Sequence, residues 1–555
     1  MSPAREFQWP SLAAVVLIGA ALLRIASTYP EFSQSWDEPA HLATGMEWLD
    51  GGRYTREPLH PPLARVMIAA GPYLDGARSA GFPNTWQEGN ALLERNGEYQ
   101  RNLTLARLGA LPFFVLASAV VFLWARHLFG GPAAVLAVLL FTTLPPVLGH
   151  AGLATTEMAA TATVAFALYA YARWLASPTP GWSLALGFSV AAAVLSKFSA
   201  LLFLPAGGLA LYLCHRARDE KPPIPSRAAW TRAARLAYLP MLVLIWAGYR
   251  FSVGPLVTPL DVPLEQRPGS PLALERAAYG AAEAPIYPAP EFFQGLSMLY
   301  RKNAAGQKAY LLGEVRSTGW WYFFPVALAV KTPLAMMGLL LAAVVALARV
   351  WPGRWERAGP LAAAVFVLVV CLPARLNIGL RHVLPMYPLL AIAAGGGAAA
   401  LWVHTGRRWL GPAIAGVLIA WQLASSLRAH PDYVAYFNEL AGDHPERVLV
   451  DSDLDNGMDL RRLADTLRAL GVPRLSIAYA GSADLGRRGL PPYRELTPRT
   501  PTTGWIAASL YSLKLGAVDT KTHDEFAWLE RERPVATVGR SIRLYHLGES
   551  DTVAK

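Results

Sequence analysis

Cysteine is nearly absent from this chain of 555 residues. Only Cys214 and Cys371 occur, each within or at the end of an apolar run. That argues against a disulfide framework and leaves no cysteine-based metal site. Charge is scarce too: Asp, Glu, Lys and Arg make up 16% of the residues, against about 25% in a soluble globular domain. There is no glycine-rich phosphate loop, so the usual nucleotide cradle is excluded. Internal repeats and long low-complexity tracts are also missing.

What fills the chain is apolar sequence, at 54% hydrophobic residues and a mean hydropathy of +0.29. A membrane-spanning helix needs about 20 apolar residues. Runs of that kind lie near 11–29, 107–126, 132–149, 157–175, 182–196, 198–214, 236–252, 320–348, 360–376, 383–403 and 409–427. They predict a mainly α, polytopic membrane protein with about eleven spans. The first run is read as a retained helix, because no small-residue cleavage site follows it and it is too long for a signal-peptide core.

The net charge of +11 does not indicate nucleic acid. The stretches 214–235, 349–357 and 404–409 carry much of it, and such loops mark the cytoplasmic side. The N-terminus is then cytoplasmic. The loops 30–106 and 253–319, and the tail from 428, lie outside. Residues 1–427 form the membrane domain and 428–555 a small extracytoplasmic α/β domain.

Within the first loop, "HPPLARVMIAAGPYLD" (60–75) suits an interfacial helix. In the tail, "ERVLVDSDLD", "RLSIAYAG", "TGWIAASLYSL" and "SIRLYHLG" read as strands. "DLRRLADTLRALG" reads as an amphipathic helix with Leu460, Leu463, Leu467 and Leu470 on one face.

Five polar constellations border the spans. "SQSWDEPAHLATG" (33–45) sets Asp37, Glu38 and His41 just beyond the first one. These residues suit a general base or a metal-binding carboxylate; a solvated loop or a helix cap accounts for them as simply. Glu57 and His60 precede a double proline that stiffens the backbone, either to aim His60 at a site or to make a rigid turn. Glu157 stands at an outer span end, where an ionisable residue is expensive; the alternative is a snorkelling carboxylate. Lys197, another outer span end, answers either an anionic ligand or lipid headgroups. Arg381 and His382 sit between two spans, where Arg can fork onto phosphate or onto a headgroup. Together they place carboxylates, histidines and cations on one face, which suits a reaction with a phosphate leaving group.

The order of these motifs resembles the bacterial glycosyltransferase family 39 type, related to protein O-mannosyltransferases and to the aminoarabinose transferases that modify lipid A. The resemblance runs through "WDEPAHLATGMEWL", "REPLHPPLARV", "GHAGLATTEMAATATVAFALY", "LSKFSALLFLP", "AYLLGEVRSTGWWYFFPVALAVKTPL", "LNIGLRHVLPMYP" and "YFNELAGDHPERVLVDSDLDNGMDL". It implies a GT-C fold and a polyprenyl-phosphate-linked sugar as donor, with a protein, lipid or glycan as acceptor. It maps the family's catalytic acidic pair onto Asp37 and Glu38. Donor and phosphate contacts fall on His60, Glu57, Glu157, Lys197, Arg381 and His382. Glu157 replaces the family's usual Asp. Asn456–Gly457–Met458 replaces an expected Trp–Gly–Gln, which leaves the role of that tail motif open. A divalent cation, Mg²⁺ or Mn²⁺, on Asp37 or Glu157 is a further option. The competing reading is a transporter or lipid-handling protein whose charges line a path; it expects charges near span midpoints and often repeated halves.

Overall fold

The computed structural model describes residues 9–218, 227–256, 286–404, 409–518 and 522–548. Parts of two basic stretches (219–226 and 405–408) and the middle of the second outer loop (257–285) lie outside the described residues.

Helices stand at all eleven apolar segments. Among the described residues four are long and apolar enough to cross a membrane unaided, Trp9–Ala26, Tyr99–Phe129, Met386–Val403 and Leu410–Arg428, and six if each bent pair counts as one span, fewer than the eleven expected. Leu12, Val16 and Leu23 point outward from the first of these, exposed, as a lipid-facing surface requires.

Two segments expected to be straight spans are bent pairs. Gly131–Thr142 and Pro145–Ala151 meet at 66°. Phe323–Lys331 and Leu334–Arg349 meet at 108°, which corrects the single span read over 320–348. The break falls at Thr332–Pro333. Thr332 is extended (φ −90°, ψ 128°), as a residue before proline prefers. The freed backbone is re-satisfied: Asn438 Nδ2 donates to Ala329 O and Thr332 O, both at 2.6 Å.

The first outer loop is itself folded. Helices Glu38–Asp50, Pro62–Leu74, Thr85–Leu93 and Tyr99–Leu108 pack around Leu42, Met46, Ile68, Leu92 and Leu103. Two glycines permit this closeness. A Cβ on Gly45 would stand 2.0 Å from Arg65 O, and one on Gly89 2.1 Å from Pro39 O. The segment expected to lie in the interface is thus a packed helix, with Arg65 buried at 1% exposure.

The tail carries a five-stranded sheet in the order Tyr493–Glu495, Leu475–Ala478, Gly504–Ser509, Ile542–Leu547, Ala536–Val538. The first three strands are parallel and the last two join antiparallel. Helix Leu460–Ala469 buries Leu460, Leu463 and Leu467, while Leu470 is exposed. "TGWIAASLYSL" is a strand followed by helix Leu510–Leu515. "ERVLVDSDLD" is not a strand but two short 3-10 turns, Pro445–Arg447 and Asp451–Asp453. Its alternation of apolar residues mimics a strand, but Asp453 is committed to Leu380 and Lys331 of the membrane domain, and Asp455 to Tyr511 N and Gly457 N of the tail.

Candidate active site

Asp37 and Glu38 begin helix Glu38–Asp50, and their side chains part at once. Glu38 is 1% exposed and saturated. Arg107 Nε and Ala154 N donate to Oε1, both at 2.8 Å; Arg107 Nη2 and Ser35 N donate to Oε2 at 3.0 and 2.7 Å. Burial works to raise its pKa, but Arg107 and the backbone donors outweigh it and hold the carboxyl below its ordinary range. Glu38 therefore ties the start of its helix to helix Tyr99–Leu108 and to the backbone just before helix Glu157–Ala176, and the catalytic role expected of it has no free lone pair to act with.

Asp37 occupies the N-cap position without capping the helix. Its carboxylate instead accepts from Arg381 Nη1 and remains 27% accessible. Burial raises its pKa, but Arg381 outweighs burial and keeps it below the usual carboxylate range. Arg381 lies on the 3-10 turn Leu380–Val383. That turn is reached through Gly379 at φ 133°, where a Cβ would lie 2.3 Å from Ser452 Oγ. The turn is held down by Leu380 N donating to both oxygens of Asp453, at 3.1 and 3.2 Å.

Glu157 opens helix Glu157–Ala176, and its Oε1 accepts from Lys197 Nζ at 3.0 Å. Lys197 is the extended residue that ends helix Pro180–Ser196. Glu157 is among the charges acting on both Asp37 and Arg381, so the two ion pairs form one cluster. Around it, several buried polar atoms have no hydrogen-bond partner: Ser35 Oγ, Thr155 Oγ1, Thr156 Oγ1, Glu157 Oε2, Arg381 Nε and Asp451 Oδ2.

His60 and Glu57 stand on the other side of His41. Arg65 pairs with the Glu57 carboxylate and donates from Nε to His41 Nδ1 at 3.0 Å. His41 then carries its proton on Nε2, and meets His60 edge to face at 5.3 Å. Burial, then Arg65, lowers the His41 pKa to about 4 and holds His60 well below its ordinary range. Both rings are neutral at neutral pH and can donate a hydrogen bond but not a charge. Glu57 neutralises Arg65 and offers nothing to a phosphate. His382 stacks on Phe324 with ring centroids 6.2 Å apart.

Sequence reasoning missed the residues that support this cluster. Arg65 and Arg107 are buried partners of first-loop acids. Lys331 Nζ donates to Val434 O and Asp453 O at 2.7 and 2.6 Å; a lone lysine in an apolar run was its available signal. The divergent tail motif is a backbone clamp. Trp36 N donates to Asn456 O and Ser33 N to Met458 O, at 3.1 and 3.0 Å. Asp451 adjoins Arg381, and burial pushes its carboxyl up to about 7 against the pull of that arginine.

Among the described residues no three His, Cys, Asp or Glu are grouped to hold a metal ion. Asp37 and Glu157 each already face a cation of the chain. The residues present do not fit the divalent cation expected there as an option.

The sequence of residues 100–246 matches the family described as dolichyl-phosphate-mannose-protein mannosyltransferase. No curated protein matches the sequence. Among solved structures, ArnT from Cupriavidus metallidurans bound to undecaprenyl phosphate superposes with a TM-score of 0.50 at 14% identity, over 96% of this chain and 97% of that one. The protein O-mannosyltransferase complex Pmt1–Pmt2 of S. cerevisiae, bound to its sugar donor, gives 0.52 at 11% identity, over 76% of this chain and 90% of that one. The chain has the GT-C fold of a multi-pass membrane protein, and its residues 100–246 match the mannosyltransferase family.

Proposed function

We propose that the chain moves a sugar from a polyprenyl-phosphate donor to an acceptor hydroxyl at the outer face of a bacterial inner membrane, with inversion. One observation carries this reading. Arg381 Nε, Glu157 Oε2 and the hydroxyls of Ser35, Thr155 and Thr156, which adjoin Asp37 and Glu157 in sequence, are buried without partners, and buried polar groups ordinarily have a partner that a bound ligand would supply here.

In the proposed step Asp37 takes the proton of the acceptor oxygen as that oxygen bonds to the anomeric carbon. The bond from that carbon to the phosphate oxygen breaks, and polyprenyl phosphate leaves with both electrons. Arg381 and Lys197 meet the developing negative charge; preorganised cations in a dry site are strong contributors of this kind. His60, neutral, donates a hydrogen bond. Arg381 acts twice. It keeps Asp37 ionised while the site is free, and it is shared with the leaving phosphate when the donor is bound.

The test is transfer by purified protein with a panel of polyprenyl-phosphate sugars, wild type beside Asp37→Asn. Transfer from one donor, lost in the variant while its melting temperature is kept, supports the reading. Release of free sugar to water by wild type alone places the same chemistry there with the acceptor missing. Turnover equal in both proteins excludes Asp37 as the base.

A further inference from the structure

At the membrane face opposite Asp37, helix ends converge on a second cavity, of about 600 Å³. Helix Glu157–Ala176 connects the two places, with Glu157 at the proposed active site and Arg173 at the cavity. At about 1.5 Å per helical residue they are roughly 24 Å apart, so the cavity is separate from the transferase site.

Among the described residues its wall carries Arg173, Arg218, Arg354 and Arg357, with His127, His215 and one carboxylate, Glu356. Basic residues at one membrane face are ordinary, since they set topology. Topology does not require them to converge on one cavity, nor to be left incompletely paired. Four guanidinium groups face one carboxylate, a formal excess of +3 from the lining residues with the imidazoles neutral. Arg218 Nε lies 3.7 Å from Glu356 Oε2, too far for a hydrogen bond. Arg218 Nε and His215 Nδ1 are buried without hydrogen-bond partners. Arg173 and Arg357 are oriented by rings instead of carboxylates: the first lies over Trp182 and the second over Trp351, each 4.8 Å from the ring centroid. Leu175 and Leu211 make part of the wall apolar.

We propose that this cavity binds a phosphate ester. Converging guanidinium groups match phosphate oxygens in pairs, and the volume falls within the range of small-molecule sites. The ester is either the headgroup of an anionic phospholipid from the leaflet at that face, whose glycerol would lie on the apolar wall, or a free phosphate monoester.

The experiment uses the full chain. Native mass spectrometry after exchange into phosphatidylglycerol–phosphatidylcholine mixtures reads lipid retention. Delipidated protein titrated with inorganic phosphate reads the melting temperature. The test variant is Arg173→Gln/Arg218→Gln. Its control, Arg216→Gln/Arg349→Gln, removes equal charge at the same face from helix ends that do not line the cavity. Phosphatidylglycerol held at least 10-fold over phosphatidylcholine, lost in the test variant and kept in the control, supports a lipid headgroup site. A phosphate-dependent rise in melting temperature, lost in the test variant alone and without lipid preference, assigns the same site to a free phosphate ester. Equal losses in both variants, or neither effect in wild type, overturn the proposal. Should the double variant fail to fold, Arg354→Gln, at an exposed position, carries the comparison beside Arg349→Gln alone, which removes the same single charge.

Discussion

Asp37 and Glu38 are neighbours in sequence, both carboxylates and both paired with arginine, yet the fold treats them oppositely. Glu38 and Arg107 are each 1% exposed, and both Glu38 oxygens are filled by arginine and backbone donors. Asp37 is 27% accessible, and Arg381 leaves its own Nε unpaired beside it. An ion pair alone therefore does not mark a catalytic acid. What separates the two is spare hydrogen-bonding capacity next to accessible space.

The largest expected effect strikes the structural member of the pair. Glu38→Gln strands Arg107 as a buried, uncompensated cation, a change that typically costs about 3–5 kcal/mol. We expect a sharp fall in melting temperature and in the yield of monodisperse protein. A variant that melts like wild type would dissolve the contrast with Asp37.

Next comes Asp37→Asn. General-base catalysis contributes about 10²–10⁴ in rate, so transfer should fall by at least about 100-fold. Partly exposed ion pairs contribute only about 0–1 kcal/mol, so the melting curve should barely move.

Glu157 and Lys197 sharpen the comparison from the other side of the cluster. Glu157→Gln and Lys197→Met should each reduce transfer by about 10-fold, with the double variant little worse than either. Residues in contact couple by about 0.5–3 kcal/mol. Additive losses in the four-way kinetic cycle would separate the pair from the reaction.

A separate effect, on stability and not on turnover, is a pH dependence at Asp451. Burial raises its folded pKa from 3.8 to about 7, so the folded state binds this proton more tightly than the unfolded state. The stability it contributes is fully present below about pH 4 and is lost as pH rises through 7. Asp451→Asn removes that loss and should flatten stability between pH 5 and 8. It should not abolish the slope, because Asp455 is likewise raised to about 7. Chemical unfolding at both pH values checks this.

Much of the membrane architecture was legible because apolar length is a strong signal and polar groups are costly in lipid. The break at Thr332–Pro333 was missed although proline announces it; the apolar residues on both sides hid it. The strand read into "ERVLVDSDLD" failed because Val448, Val450 and Leu454 alternate like a strand, while Leu380 and Lys331, distant in sequence, decide where Asp453 goes. Asp37, Glu157, Lys197 and Arg381 were legible as residues out of place beside spans. Their pairing was not, since Arg381 is 344 residues from Asp37. Arg107 was hidden at the start of an apolar run, and nothing local links it to Glu38, 69 residues away.

The most direct measurement is single-turnover transfer alongside thermal melting for Asp37→Asn and Glu38→Gln in the same detergent, with the donor that wild type accepts. The expected result is a crossed pattern: Asp37→Asn folded and at least about 100-fold slower, and Glu38→Gln destabilised, with its surviving folded fraction still transferring sugar. Folded Asp37→Asn transferring at the wild-type rate, or well-folded Glu38→Gln that is inert, would contradict the assignment of chemistry to Asp37 and of architecture to Glu38.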